Sequence, residues 1–269
     1  MRPCLSEATT MTATFVEDVE ACAAAGCDAL EVWLTKLEQH LEQSSLDATR
    51  GLVDDRGVSL VAASYQGGLL LSEGAARAAH YDHFRRRLQL CDALRIPTLL
   101  IVADFAERMT SENLDRAIAS LREAARWADG FGVRLALEFR ATDTFCSNLE
   151  TAVRIVDACG EPNVGVNWDA FHFFKGSSKT EDLELLSPAN LAFVQVCDWS
   201  GIPRELVTDA DRIMPGDGDL PLLDVLRRLK RLGYAGPVSL ELLNPVFWQM
   251  KPTQVMELGA AAVRRVLPV

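Results

Sequence analysis

The stretch ADGFGVRLALEF, residues 128–139, decides the fold. Its first residues are the polar end of a helical pattern. Gly130 and Gly132 follow, and then a run of Val, Leu and Ala that ends on Glu138 and Phe139. Glycine just past a helix end suits a left-handed cap, and a short apolar run after it reads as a strand. The same order recurs in AAAGCDALEVW at 23–33, DDRGVSLVAAS at 54–64 and KRLGYAGPVSLEL at 230–242.

Outward from these four stretches, the spacing predicts strands over 2–7, 28–33, 58–64, 97–103, 133–139, 163–169, 191–197 and 237–242. Helical patterns fall between them, near 14–25, 35–56, 74–94, 111–130, 147–159, 180–187, 220–232 and 252–266, the sixth being the weakest. Eight alternations of strand and helix predict a (β/α)8 TIM barrel. With no linker and no shift in composition, residues 1–269 read as a single domain. A doubly wound open sheet would ask for a glycine-rich turn after the first strand, and SEATTMTA at 6–13 offers none.

The chain of 269 residues is 49% hydrophobic, enough for one sizeable core, and carries a net charge of −11. An acidic surface argues against nucleic acid or an anionic membrane as partner. The densest basic cluster, Arg85-Arg86-Arg87, lies in a helical pattern and reads as a solvated face. No apolar run approaches membrane-spanning length, and the N-terminus has no signal-peptide core, so a soluble cytoplasmic protein is expected. Seven cysteines without a CxxC pair predict buried reduced thiols rather than a disulfide framework.

Strand side chains alternate between two faces. Val133, Leu135, Leu137 and Phe139 share one face, with Ala136 and Glu138 opposite. Val164, Val166 and Trp168 oppose Gly165, Asn167 and Asp169. Val194 and Val196 oppose Phe193, Gln195 and Cys197, while Val238, Leu240 and Leu242 oppose Ser239 and Glu241. Each strand therefore has an apolar face for the helices and one strong oxygen donor on the lumen side, near its C-terminal end. Glu138, Asp169, Gln195 and Glu241 stand on four consecutive strands, at the end of a barrel where chemistry sits. Three carboxylates aimed at one point need a cation to stay ionised, and a divalent metal ion is expected. The plain alternative is an arginine partner, since Arg134 and Arg140 share the parity of Glu138.

At these residues the chain resembles the xylose isomerase-like barrel superfamily, in its sugar phosphate isomerase/epimerase group. LALEF (135–139), NVGVNWDAFHFFKG (163–176), FVQVCD (193–198), PGDGDLPL (215–222) and GYAGPVSLELLNP (233–245) carry the resemblance. The group includes ketose 3-epimerases, hydroxypyruvate isomerase, inosose dehydratase and 3-dehydroshikimate dehydratase. The resemblance implies metal ligands at Glu138, Asp169, Gln195 and Glu241. Most of the group has histidine at the third position; glutamine there is similar to some 3-dehydroshikimate dehydratases. It further implies a substrate-contacting His172 and, more loosely, a substrate-binding Arg204. Lys175 and Lys251, near the sixth and eighth strands, are placed to meet an anionic group. His40, His80 and His83 fall in helical stretches and read as surface or packing residues. Glu31, at the end of the second strand with lumen parity, suits a substrate hydroxyl or a neighbour of a ligand; a salt bridge is the bland reading. Asp198 reads as a support for the ligands, and Asp219 as a helix N-cap.

Three carboxylates and one amide carbonyl make a hard, all-oxygen donor set, which favours Mn²⁺, with Mg²⁺ or Co²⁺ as alternatives, over Zn²⁺. The function expected is a metal-dependent sugar isomerase or epimerase. It takes a proton from the carbon beside a ketone of a polyhydroxy substrate, through an enediolate, and the resemblance to the epimerases implies Glu138 and Glu241 as the proton carriers. A dehydratase of the 3-dehydroshikimate or keto-inositol type is the alternative, favoured by Gln195. A non-catalytic sugar-binding protein and an endonuclease IV-like enzyme rank lower; the latter needs a histidine-rich multi-zinc site and a basic face, and this chain has four histidines. Homo-oligomerisation is compatible with all of these.

Overall fold

The computed structural model describes residues 1–105 and 108–269. Its strands are β1 (Arg2–Ser6), β2 (Ala29–Trp33), β3 (Ser59–Gln66), β4 (Thr98–Val102), β5 (Arg134–Glu138), β6 (Val164–Asp169), β7 (Leu191–Val196) and β8 (Pro237–Leu240). Between and after them run α1 (Phe15–Ala24), α2 (Leu34–Leu41), α3 (Leu46–Asp55), α4 (Gly74–Ala93), α5 (Ser111–Asp129), α6 (Leu149–Cys159), α7 (Ala170–Lys175), α8 (Leu222–Arg231), α9 (Pro245–Trp248) and α10 (Pro252–Val266). The strands follow in the order β1 to β8 and close on themselves, which is the (β/α)8 TIM barrel that the alternation predicts. Gly26, Gly57, Gly132 and Gly233, the turn residues of the four repeated stretches, all take positive φ.

The described chain divides into two compact units, Met1–Ala63 with Val194–Val269, and Ser64–Phe193. In the first, β1 pairs in parallel with β2 and with β8, and β8 with β7. Gln195 stands opposite Ser239, Cys4 opposite Ser239 on the other edge, and Ser6 opposite Glu31. Helix α10 packs against α1, β1 and β8. Its Gly259 is required by that approach, because a Cβ there would run into Leu240 Cδ2. In the second unit, β5 pairs with β4 and β6, so Val102, Glu138 and Asn167 lie side by side at the C-terminal ends. Leu135, Leu137 and Val166 are fully buried on the face away from Glu138. Truncating such a leucine to alanine costs about 2–5 kcal/mol. Gly165 opens room on the opposite face; a Cβ there would sit 2.9 Å from Arg134 Nη2, which donates to Ala189 O.

Four details differ from the sequence expectations. The helix predicted over 35–56 is two helices, because Ser45 leaves the helical path and its Oγ caps α3 by accepting from Ala48 N at 3.1 Å. The sixth connection is the short α7 plus a 3₁₀ turn at Thr180–Leu185, not one helix over 180–187. The last strand ends at Leu240, one residue before Glu241, and α9 follows with Asn244 as its cap. Asp219 does not cap α8, whose N-cap is Pro221; its Oδ2 accepts from Gly201 N at 2.9 Å. The cysteine expectation holds: all seven thiols are free and buried. Among the described residues no helix is long and apolar enough to cross a membrane.

Candidate functional site

In the unit Ser64–Phe193, β5 ends on Glu138 and β6 on Asp169, and the chain turns at once from Asp169 into α7. Asp169 caps that helix, with Oδ1 accepting from Phe171 N at 2.6 Å. The cap fixes the carboxylate and leaves Oδ2 directed along the helix, where His172 Nε2 lies 3.8 Å away. Glu138, Asp169 and His172 are all buried, and each offers one ligand atom within 4.8 Å of the others. Asn167, on the same strand face as Asp169, donates to Glu138 Oε1 at 3.2 Å.

The role open to His172 follows from its other nitrogen. Nδ1 accepts from Ala141 N at 3.4 Å, so the neutral ring carries its proton on Nε2. A protonated Nε2 is a donor rather than a metal ligand. It suits a substrate oxygen next to Asp169 better than it suits the ion itself. Arg140, one of the two arginines that share Glu138's parity, forms a two-toothed ion pair with Asp143, at 2.8 Å for its shortest contact.

In the unit Met1–Ala63 with Val194–Val269, a second buried cluster occupies the ends of β2, β7 and β8. Glu31, Gln195, Ser239 and Glu241 are 0%, 1%, 0% and 6% exposed. Gln195 Nε2 donates to Glu31 Oε1 at 2.9 Å and to Glu241 Oε1 at 3.0 Å. Ser239 Oγ donates to Glu31 Oε2 at 2.6 Å. Both amide protons of Gln195 are thus directed at carboxylates, and its remaining polar atom is the carbonyl oxygen. Glu31 thus accepts from one amide and one hydroxyl. Glu241 Oε2 receives Arg212 Nη1 at 2.7 Å, and Arg212 is itself 1% exposed.

Arg212 has no place in the sequence expectations, which name Arg204 in the same loop. Arg204 is exposed and pairs with Glu205 at 3.4 Å. Arg212 is brought inward because the loop is pinned on either side of it. Asp198 and Ile213 form an antiparallel bridge, and the Asp198 carboxylate accepts from Trp199 N, Gly216 N and Leu220 N at 2.9–3.0 Å. Burial pushes the Asp198 carboxyl up, and the backbone N–H groups of the loop oppose that rise. Asp198 supports the loop that carries Arg212. Lys175 ends α7 half-buried, and Lys251 is exposed at the N-cap of α10. The sequence signal for Arg212 was available: it is the basic residue that directly precedes IMPGDGD in an acidic loop.

A further buried group lies just past β1 and was not foreseen. Glu7 and Asp18 are fully buried, Thr10 Oγ1 donates to Asp18 Oδ1 at 2.6 Å, and Lys36 Nζ pairs with Asp18 while donating to Thr10 O at 3.0 Å. Glu7 Oε2 accepts from Trp33 N at 2.6 Å, tying the start of the β1 connection to the end of β2. Burial first, and the neighbouring Asp18 carboxylate second, push the Glu7 carboxyl well up.

The donor chemistry of the two lumen clusters fits a divalent cation. Glu138 and Asp169 bring two carboxylates beside a neutral imidazole; Glu31 and Glu241 bring two against one guanidinium. Each cluster sets more carboxyl groups than cationic groups in buried surroundings, a donor set suited to a hard cation with oxygen ligands.

Comparison with known proteins agrees with this chemistry. The family described as xylose isomerase-like TIM barrel matches residues 19–266. Inosose isomerase of Halalkalibacterium halodurans is 29% identical over 265 residues, covering 96% of this chain and 93% of that protein. A 3-dehydroshikimate dehydratase of Pseudomonas aeruginosa is 27% identical over 88% of this chain, though over 37% of its own length. Among solved structures, the IOLI protein with a bound zinc atom superposes with a TM-score of 0.93 at 25% identity, over 99% of this chain and 98% of that one.

Proposed function

Because the chain belongs to the xylose isomerase-like TIM barrel family, we propose that it is a divalent-metal-dependent enzyme that moves a proton beside the ketone of an inosose-like, cyclic polyhydroxy ketone. That it is an enzyme of the sugar isomerase/epimerase kind follows from its inosose isomerase relatives. The observation that carries the finer reading is the run of oxygen donors ending consecutive strands: Glu138 on β5, Asp169 on β6, Gln195 on β7 and Glu241 just past β8. In this reading these four hold one divalent ion, Mn²⁺ by the all-oxygen donor set, with zinc as the competing metal in view of the zinc-bound relative. When bound, the ion supplies Lewis-acid stabilisation of the charge that forms on the ketone oxygen.

The remaining work belongs to this chain's side chains. Glu138 and Glu241 are the two carboxylates that take and return the proton. The Arg212 guanidinium stabilises Glu241 in the charged form a base must have, and gives the substrate a cationic edge. His172, protonated on Nε2, donates to a substrate oxygen. Lys175 meets substrate from the end of α7. The test is incubation with Mn²⁺ in D₂O of a panel of inososes, D-fructose, hydroxypyruvate and 3-dehydroshikimate, followed by NMR. Deuterium entering an inosose with formation of an isomer is the expected result. Absence of exchange in every substrate, with metal bound, refutes the reading.

A dehydratase is the second reading, and Gln195 is the observation that favours it together with the dehydratase relative. The same experiment separates the two, because loss of water from 3-dehydroshikimate or an inosose marks the lyase.

A further inference from the structure

We infer that Glu31 is a positioning residue that sets the amide of Gln195 in one orientation, with Ser239 as its support, and so makes a glutamine usable as a metal ligand. The inference rests on the metal site proposed above and extends it to a residue that would not touch the ion.

A primary amide is ambiguous as a ligand. Its oxygen coordinates a hard cation and its NH₂ does not, and the two ends are almost the same size. A free glutamine at the end of a strand would present either end, and half of that freedom would oppose metal binding. The surroundings of Gln195 remove the ambiguity. Nε2 lies 2.9 Å from Glu31 Oε1 and 3.0 Å from Glu241 Oε1, and both are carboxylate oxygens, which accept but do not donate. Turning the amide over would place its oxygen against two carboxylates at hydrogen-bond distance, replacing two attractive contacts by two repulsive ones. Gln195 is 1% exposed, so water cannot relieve the repulsion.

Of the two carboxylates, Glu31 is the one that is neither a proposed metal ligand nor a proposed proton carrier. Glu241 also answers to Arg212. Glu31 sits on β2, is 0% exposed, and has its other oxygen held by Ser239 Oγ at 2.6 Å. Ser239 in turn stands directly opposite Gln195 in the β7–β8 register, and Glu31 reaches both from β2, on the far side of β1. The arrangement also polarises the amide: a negative charge against the N–H end draws electron density toward the carbonyl oxygen, which strengthens it as a donor to a cation. A carboxylate behind a ligating histidine performs the same service in other metal sites, where losing it costs about 10–100-fold in metal affinity. Glutamine needs it more, because its ligand atom is chosen by orientation.

The test is a double-mutant cycle in Mn²⁺ dissociation constants by titration calorimetry, on the wild type, Glu31→Gln, Gln195→Ala and the double variant. Glu31→Gln should weaken Mn²⁺ binding by at least about tenfold. In the Gln195→Ala background the same change should cost less than about twofold, because no amide remains to orient. Equal losses in both backgrounds, or binding by Glu31→Gln within twofold of wild type, overturn the inference. Ser239→Ala leaves the Glu31 charge in place and should weaken binding several-fold; it stands in for Glu31→Gln if that variant fails to fold, and binding unchanged by Ser239→Ala then overturns the inference. If the wild type binds neither Mn²⁺ nor Zn²⁺, the proposed metal site itself is wrong and the inference falls with it.

Discussion

Arg212→Met separates two sources of positive charge beside Glu241, the guanidinium and the ion of the proposed site. The ion pair is almost wholly inside the protein, with Arg212 at 1% and Glu241 at 8% side-chain exposure and 2.7 Å between Nη1 and Oε2. The other partner, Asp209, is 52% exposed and contributes less than about 1 kcal/mol. Two unit charges about 4 Å apart at an effective dielectric of about 20 interact by about 4 kcal/mol. Removing one member of a buried pair costs about 3–5 kcal/mol, because the other charge stays behind. At about 2–4 °C per kcal/mol for a chain of this size, the metal-free variant should melt about 10 °C below the wild type. Added Mn²⁺ should return more stability to the variant than to the wild type, since tighter binding stabilises more, as the logarithm of the affinity, and a vacated carboxylate attracts a cation more strongly. Thermal melts in chelator and in millimolar Mn²⁺ read this directly. A metal-free Tm within about 2 °C of wild type would refute the energetic reasoning. A variant that binds Mn²⁺ more than tenfold more weakly would show that the guanidinium and the ion do not answer the same charge.

Glu7 gives a pH-dependent counterpart. Its carboxyl is pushed well up by burial and by Asp18, so the folded chain holds a proton the unfolded chain releases in the ordinary carboxylate range. The stabilisation is full in acid and fades as pH rises toward the raised folded value. Glu7→Gln keeps an acceptor for Trp33 N and should flatten the fall in Tm from pH 5 to pH 9; parallel slopes for variant and wild type would count against it. Gln195→His should preserve the fold and shift the metal preference of the proposed site toward Zn²⁺, checked by competition titration against the wild type, with an unchanged preference removing Gln195 from the proposed ligand set. Asp198→Ala removes the acceptor for three backbone N–H groups. It should cost about 3 kcal/mol and speed proteolytic cleavage within 213–220, the segment those bonds hold.

The barrel was legible because two local signals repeat with it, a positive-φ glycine after a helix and a strand with one apolar face. The four proposed ligands were legible for the same reason. Alternation assigns Glu138, Asp169, Gln195 and Glu241 to one side of their strands without reference to any other residue. Asn167 and Ser239 carried that parity too, but nothing local says what an amide or a hydroxyl will bond. Arg212 was out of reach of periodicity. Its place depends on the Asp198–Ile213 bridge and on loop bonds spanning up to 22 residues, and such pairings leave no pattern along the chain. The predicted helix over 35–56 failed at Ser44-Ser45, where cap chemistry outweighs a continuous amphipathic pattern. Glu7 escaped notice as the last residue of the predicted strand 2–7, because its hydrogen-bond partner Trp33 ends β2 and the charges beside it, Asp18 and Lys36, lie on α1 and α2.

The buried thiols give this chain a built-in clock. Cys4, Cys22, Cys27 and Cys197 belong to one compact unit and Cys91, Cys146 and Cys159 to the other, and none is open to solvent. A thiol reagent can reach them only through an opening event, so each label records an opening and its address. If the chain opens as one body, intact mass will jump from no labels to seven without intermediates. If one unit opens ahead of the other, species with three or four labels will accumulate, and peptide mapping will say whether the middle segment or the two terminal segments let go first.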